Sequence, residues 1–142
     1  PINLIINTPG GYTSDGFAII DMMSLSKKTI RTVGLGQIAS MGLLILSAGA
    51  KGNRVLLKNC EVMAHQFIGG SSGKLHEMNA IHESNKILEH KFIDHFVRTT
   101  KLNEKKVRDI LFGPSERWLT PEECKKYGLC DKIAACIEDV II

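Results

Sequence analysis

An apolar strand, a glycine turn, an amphipathic segment and a second, β-branched strand follow one another between Ile2 and Val33, and this succession restricts the fold more than any other feature. Residues 2–6 form an apolar run of strand length, closed by Thr8-Pro9-Gly10-Gly11, which breaks both helix and strand. Ser14-Asp15 then offers a helix N-cap, Phe17, Ile19, Ile20 and Met23 favour one broad face, and Lys27-Lys28 in the last turn complement the helix dipole. The run Thr29-Ile30-Arg31-Thr32-Val33 reads as the next strand. Strand, helix and strand in this order predict parallel neighbours joined by a right-handed crossover, and hence an α/β domain.

Further along, Gly34 and Gly36 separate the second strand from Ser40, and residues 41–50 are almost entirely apolar, so Ser40 falls where a strand ends and a buried helix begins. Two short strands follow, Arg54-Val55-Leu56-Leu57 and Glu61-Val62-Met63-Ala64, and His65 ends the second. Gly69-Gly70-Ser71-Ser72-Gly73 is a flexible stretch that opens a long helix. In that helix Met78, Ile81, Asn85, Leu88, Phe92 and Phe96 recur every three or four residues, a narrow stripe that predicts a helix projecting from its domain onto a partner subunit. Asn103 caps a shorter helix through Leu111, Thr120-Pro121-Glu122-Glu123 is a capping box with proline at the first helical position, and Gly128 closes that helix.

With 142 residues, 44% hydrophobic and 23% charged, one domain over residues 1–142 is the economical organisation. Because the first residue is Pro1 and a strand begins at once, a natural N-terminal segment is expected to precede it. The net charge of +3 is modest and the lysine pairs lack an aromatic platform between them, which argues against nucleic-acid binding. No run of about 18 apolar residues predicts a membrane span. Cys60, Cys124, Cys130 and Cys136 form no C-x-x-C pair, which argues against zinc and for reduced thiols in a cytoplasmic compartment. No metal or cofactor is expected.

The candidate chemistry lies in Gly36-Gln37-Ile38-Ala39-Ser40-Met41-Gly42 and Met63-Ala64-His65-Gln66. A serine hydroxyl becomes a useful nucleophile when a base takes its proton, and an imidazole, with an ordinary pKa of about 6.5, suits that task. The first N–H groups of a helix beginning after Ser40 would be free to stabilise an oxyanion. Each signal alone has a plainer meaning: serine among glycine and alanine packs helices, histidine at a strand end is a core or edge residue, and paired glycines make a turn.

Six ordered segments together resemble the proteolytic subunit of the Clp protease, the caseinolytic serine peptidase family: Asn7-Thr8-Pro9-Gly10-Gly11, the Ser40 and His65 segments, Ala48-Gly49-Ala50-Lys51-Gly52, Gly69-Gly70, and Tyr127-Gly128-Leu129-Cys130-Asp131. The resemblance implies a crotonase-like α/β fold with repeated β-β-α units and a protruding handle helix. It implies a serine endopeptidase with Ser40 as nucleophile, His65 as general base and then acid, the N–H groups of Gly11 and Met41 as oxyanion hole, and Gly69 and Gly70 in a handle strand that pairs with substrate backbone. It further implies unfolded polypeptide substrates, a homo-oligomer of stacked seven-subunit rings, and an ATP-hydrolysing unfoldase partner; no Walker A run makes ATP this chain's own substrate.

The chain departs from the family's pattern where the third catalytic residue belongs. Glu116, in Ser115-Glu116-Arg117-Trp118, stands where the family carries aspartate, and Asp109 is the runner-up, inside a predicted helix. Gln66-Phe67 replaces the usual Gln-Pro, which frees a φ angle that proline would hold. The alternatives are a catalytically silent ring subunit, motivated by Glu116, and an acyl-CoA enzyme of the crotonase type, which would need neither Ser40 nor His65. A Ser-Lys dyad through Lys51 or Lys58 is the remaining arrangement, and His65 in its matching motif argues against it.

Overall fold

In the computed structural model, which describes residues 1–141, β1 (Ile2–Thr8) and β2 (Ile30–Ala39) run parallel through α1 (Thr13–Leu25), in register from Ile2↔Ile30 to Ile6↔Gly34. The predicted crossover is therefore present. β2 is longer than its β-branched core suggests, because Gly34 and Gly36 do not end it. Gly36 instead takes a positive φ of 65° beside Asn7, whose Oδ1 accepts from the Gln37 N–H at 3.0 Å, and the β1–β2 register shifts there. A bulge of this kind bends a strand without breaking the ladder.

The bend divides the neighbours of β2. Its first half, Thr32–Gly34, pairs with β3 (Arg54–Leu56), and its second half, Gln37–Ala39, pairs with β4 (Glu61–Ala64), both parallel. β5 (Arg117–Leu119) runs antiparallel to β4, and β6 (Lys132–Ile133) completes the six-stranded sheet beside β3. β3, β4 and the long helix α3 (Leu75–Thr99) form a β-β-α unit of the expected kind. α2 (Met41–Ser47) is buried at every position except Ile45, and its Leu43, Leu44 and Leu46 join Ile38, Leu56, Val62, Phe96, Val107 and Leu129 in one core. Burying a side chain of this size contributes about 1.5–3 kcal/mol, so this apolar helix has one place to go.

The ends of α1 differ from expectation. Tyr12 occupies the N-cap with no side-chain cap, so Ser14 and Asp15 lie in the first turn, where the Asp15 charge meets the positive end of the dipole. The helix stops at Leu25. Ser26 then accepts the Lys28 N–H at 3.0 Å and donates to the Lys28 carbonyl, a local turn that outcompetes the helix and leaves Lys27 and Lys28 outside it. Gly16 is the one buried residue of α1, while Ile19, Met22 and Leu25 remain exposed.

α3 carries its burial at one end. Phe92, Ile93, His95 and Phe96 are buried, whereas Met78, Ile81, Asn85 and Leu88 are half-buried along the predicted stripe of an otherwise exposed helix. Asn103 caps α4 (Glu104–Lys106) by accepting the Lys106 N–H at 2.9 Å, but the helix continues to Leu111 as a π-helical turn, Val107–Leu111. In α5 (Pro121–Tyr127) the Thr120 capping box, Pro121 and the left-handed Gly128 all stand as predicted. A 3-10 turn, Ile137–Asp139, ends the described chain.

One buried ion pair ties these parts together. Arg54 on β3 meets Asp131 in a fork, at 2.9 and 2.6 Å, and its remaining nitrogen donates to the carbonyls of Thr99 at 2.6 Å and Ser47 at 3.3 Å. Asp131 also accepts the Gly52 and Arg54 N–H groups. Burial works to raise the Asp131 pKa, but the Arg54 and backbone hydrogen bonds outweigh it and hold the carboxyl below its ordinary range. The ends of α2 and α3, strand β3 and the segment after Gly128 are thus pinned at one guanidinium.

Candidate active site

Ser40 is the one non-glycine residue with positive φ among those described, at φ 54° and ψ −123°. It links β2 directly to α2. Such a conformation costs a side-chain-bearing residue on the order of 1–3 kcal/mol and persists only where its surroundings enforce it. Here they do: the Ser40 N–H donates to the Met63 carbonyl of β4 at 2.9 Å, and the buried strand and helix on either side leave no slack. The turn lifts the side chain out of the sheet toward His65, which follows β4. Ser40 Oγ and His65 Nε2 lie 2.8 Å apart, the serine half-buried and the imidazole likewise.

The loop after β1 closes over the serine. Gly10 has φ 106°, and a Cβ placed there would sit 2.6 Å from Ser40 Cβ and 3.1 Å from both Ser40 Oγ and the Ala39 carbonyl. No other residue fits that approach. Gly11, next in the loop, is exposed, and Met41 is the first residue of α2. Neither N–H has an acceptor among the described residues, as befits the first turn of a helix and an open loop. The candidate oxyanion donors are therefore uncommitted, on elements that both contact Ser40.

Glu116 occupies the position just before β5. The ladder pairs Val62↔Leu119, Met63↔Trp118 and Ala64↔Arg117, and it ends there, one residue short of both His65 and Glu116. Glu116 is exposed, and among the described residues the His65 ring makes its hydrogen bond to Ser40 alone. Asp109 is elsewhere, on the π-helical turn, where it is exposed and paired with Lys105 at 2.8 Å. Gly69 lines a cleft of about 370 Å³ between the segment after His65 and α3, with Gln66, Phe67, Asn85, Phe92 and Phe112 among its walls and neither Ser40 nor His65 in its lining. Gly70 is exposed, and the segment from Gly69 to Gly73, expected as a handle strand, forms no strand.

A second serine–histidine pair shows what the first has that this one lacks. Ser47 Oγ and His95 Nε2 are 2.9 Å apart, and Nε2 is also 2.9 Å from the Leu44 carbonyl. Both residues are sealed in the core, and burial lowers the His95 pKa to about 4 against the opposing pull of that carbonyl. This pair is structural glue between α2 and α3. Its one signal in the sequence is the place of His95 beside Phe92 and Phe96 on the buried end of α3. The thiols offer no rival nucleophile in the core: burial raises the pKa values of Cys60, Cys124 and Cys130, the last to about 12. Among the described residues no group of three or more His, Cys, Asp or Glu side chains is placed to hold a metal, and no helix is long and apolar enough to cross a membrane.

The family model described as Clp protease matches residues 1–136. The chain is 37% identical over 137 residues to the ATP-dependent Clp protease proteolytic subunit of Streptococcus gordonii, an alignment covering 94% of this chain and 68% of that one. It is 39% identical over 134 residues to the ATP-dependent Clp protease proteolytic subunit 2 of Bacillus licheniformis, covering 93% of this chain and 68% of the relative. A match that runs nearly end to end establishes that the chain, whose fold brings a strained serine to a histidine, belongs to the Clp protease family.

Proposed function

We propose that the protein is the proteolytic subunit of an ATP-dependent Clp-type protease and hydrolyses peptide bonds of unfolded polypeptides through Ser40, His65 and Glu116. The observation that carries the reading is the 2.8 Å approach of Ser40 Oγ to His65 Nε2 at a strained turn. Ser40 Oγ attacks the substrate carbonyl carbon while His65 Nε2 accepts the hydroxyl proton. The negative charge that develops on the carbonyl oxygen is met by the N–H groups of Gly11 and Met41. His65 then gives its proton to the departing amine, leaving an acyl-serine, and water repeats the sequence to release the acid.

For Nε2 to accept, the ring proton must sit on Nδ1, which needs an acceptor of its own. Glu116 is that acceptor in this reading, reaching across the β4–β5 step with one methylene more than aspartate. Gly69 and Gly70 hold extended substrate by its main chain in the cleft beside the site, which makes the enzyme tolerant of sequence. The exposed apolar residues Ile2, Ile5, Ile19, Met22 and Leu25 and the projecting α3 support burial in an assembly, read here as stacked seven-subunit rings fed by an ATP-hydrolysing unfoldase in the cytoplasm.

A fluorophosphonate probe tests the reading on the assembled protein. Labelling of Ser40 that disappears in Ser40→Ala and in His65→Ala is expected. Full labelling in His65→Ala would remove His65 as base. The free state of the His65 ring beyond its bond to Ser40 favours a second reading, a catalytically silent ring subunit, and failure to label the wild-type assembly would establish that one instead.

A further inference from the structure

Gln66 makes one contact that the proposed mechanism leaves unused. Its Nε2 donates to the Phe112 carbonyl at 2.8 Å, across a sequence gap of 46 residues. A carbonyl only accepts, so the amide nitrogen faces it and the side chain's orientation follows from the partner. Phe112 is the residue that ends the π-helical turn, and its carbonyl belongs to the group that a helix end leaves without an intrahelical donor. Its ring is packed between Phe92 and Phe96, with centroids 5.8 and 5.7 Å away. Phe112 is therefore a fixed point.

The segment from Gly113 to Glu116 leaves that fixed point and enters β5, whose Arg117 pairs with Ala64. Both anchors of this short loop thus lie on the segment that carries His65: Ala64 on one side of the histidine holds the far end, and Gln66 on the other holds the near end. Phe67 strengthens the near anchor. It packs on Phe92 with centroids 5.7 Å apart, so the residue in place of the family's proline joins the same aromatic cluster as Phe112.

Resting on the Ser40–His65–Glu116 reading, we propose that Gln66 is a positioning residue whose amide clamps the Phe112 carbonyl so that the following loop presents Glu116 to His65 Nδ1. It touches neither substrate carbonyl nor the transferred proton in this role. Its effect reaches the reaction through Glu116 alone.

The test is a double-mutant cycle in the assembled protein with a fluorogenic peptide. Gln66→Met keeps length and removes the donor, and Gln66 is exposed, so the variant keeps its core. The expected result is a kcat about threefold to tenfold lower, the weight of one hydrogen bond, with an unchanged near-ultraviolet circular dichroism spectrum; because Gln66 also lines the cleft, KM is free to change alongside kcat. In a Glu116→Gln background the same substitution should cost nothing further. An equal loss in both backgrounds, a change confined to KM, or an unchanged kcat would overturn the clamp while leaving the triad intact, provided that Glu116→Gln itself lowers kcat. If Glu116→Gln leaves kcat unaltered, the triad reading fails and takes the clamp with it.

Discussion

His95 should make the protein lose stability in mildly acid solution by an amount that can be worked out beforehand. Burial holds its pKa at about 4 in the folded chain, against an ordinary value of 6.5. A unit or more above pH 6.5 the ring is neutral whether folded or unfolded, and it contributes almost nothing to the pH dependence. Between 6.5 and 4 the unfolded chain binds a proton that the folded chain refuses, so stability falls as the pH falls. Linkage gives a loss of about 2 kcal/mol at pH 5 and about 3 kcal/mol at pH 4, levelling off below that. Other groups titrate too, so the quantity to measure is a difference. Urea unfolding of wild type and of His95→Gln, which cannot titrate, should be followed by circular dichroism from pH 7.5 to 4 at one protomer concentration. His95→Gln is expected to begin less stable at pH 7.5, because it fits the Ser47 and Leu44 contacts imperfectly, and to overtake or approach wild type near pH 4. Parallel profiles would refute the reasoning, as would a His95 ring titrating near 6.5 by NMR, since either would mean that the core admits the charged ring.

Asp131→Ala leaves the Arg54 guanidinium buried without its carboxylate and should cost about 3–5 kcal/mol, read as a shift of the urea midpoint; a loss below 1 kcal/mol would show that water reaches Arg54. Gly10→Ala forces a Cβ to within 2.6 Å of Ser40 Cβ, so probe labelling of Ser40 should fall at least tenfold while the fold persists, and normal labelling would show that the loop can retreat. Glu116→Gln should reduce kcat by about tenfold or more with assembly unaltered by sedimentation, and Glu116→Asp should retain more activity than Glu116→Gln. Equal activity in all three forms would leave His65 working without a carboxylate.

The crossover, the burial of α2, the ends of α5 and the stripe on α3 were legible because each follows from local pattern: apolar periodicity, a capping box, a left-handed glycine. The errors fell where a tertiary partner or a local side chain overrode that pattern. Gly34 and Gly36 looked like a break, yet β1 supplies ladder partners on both sides and Asn7 stabilises the bulge between them. Lys27 and Lys28 looked like the last turn of α1, yet the Ser26 turn ends it first. The helix after Asn103 looked regular, and its π-helical turn depends on packing of Val107 and Leu111 that no periodicity reports.

What the amino-acid order determined by itself was the family, through six ordered segments, and with it the two residues proposed here as nucleophile and base, because motif wording and spacing are one-dimensional facts. It placed Ser40 at a strand-to-helix junction and His65 at a strand end. Only the tertiary structure decided that parallel pairing of β2 with β4 brings these two within 2.8 Å, and that Ser47 and His95, equally close, are sealed away as packing. It also decided that β5 pairs with β4 up to the rung Ala64↔Arg117, next to His65 and Glu116, whereas Asp109 lies on the π-helical turn in an ion pair with Lys105. Distance between residues far apart in the chain is set by strand order and register, and these are fixed by which apolar faces can be buried together, a property of the whole sheet that no single segment carries.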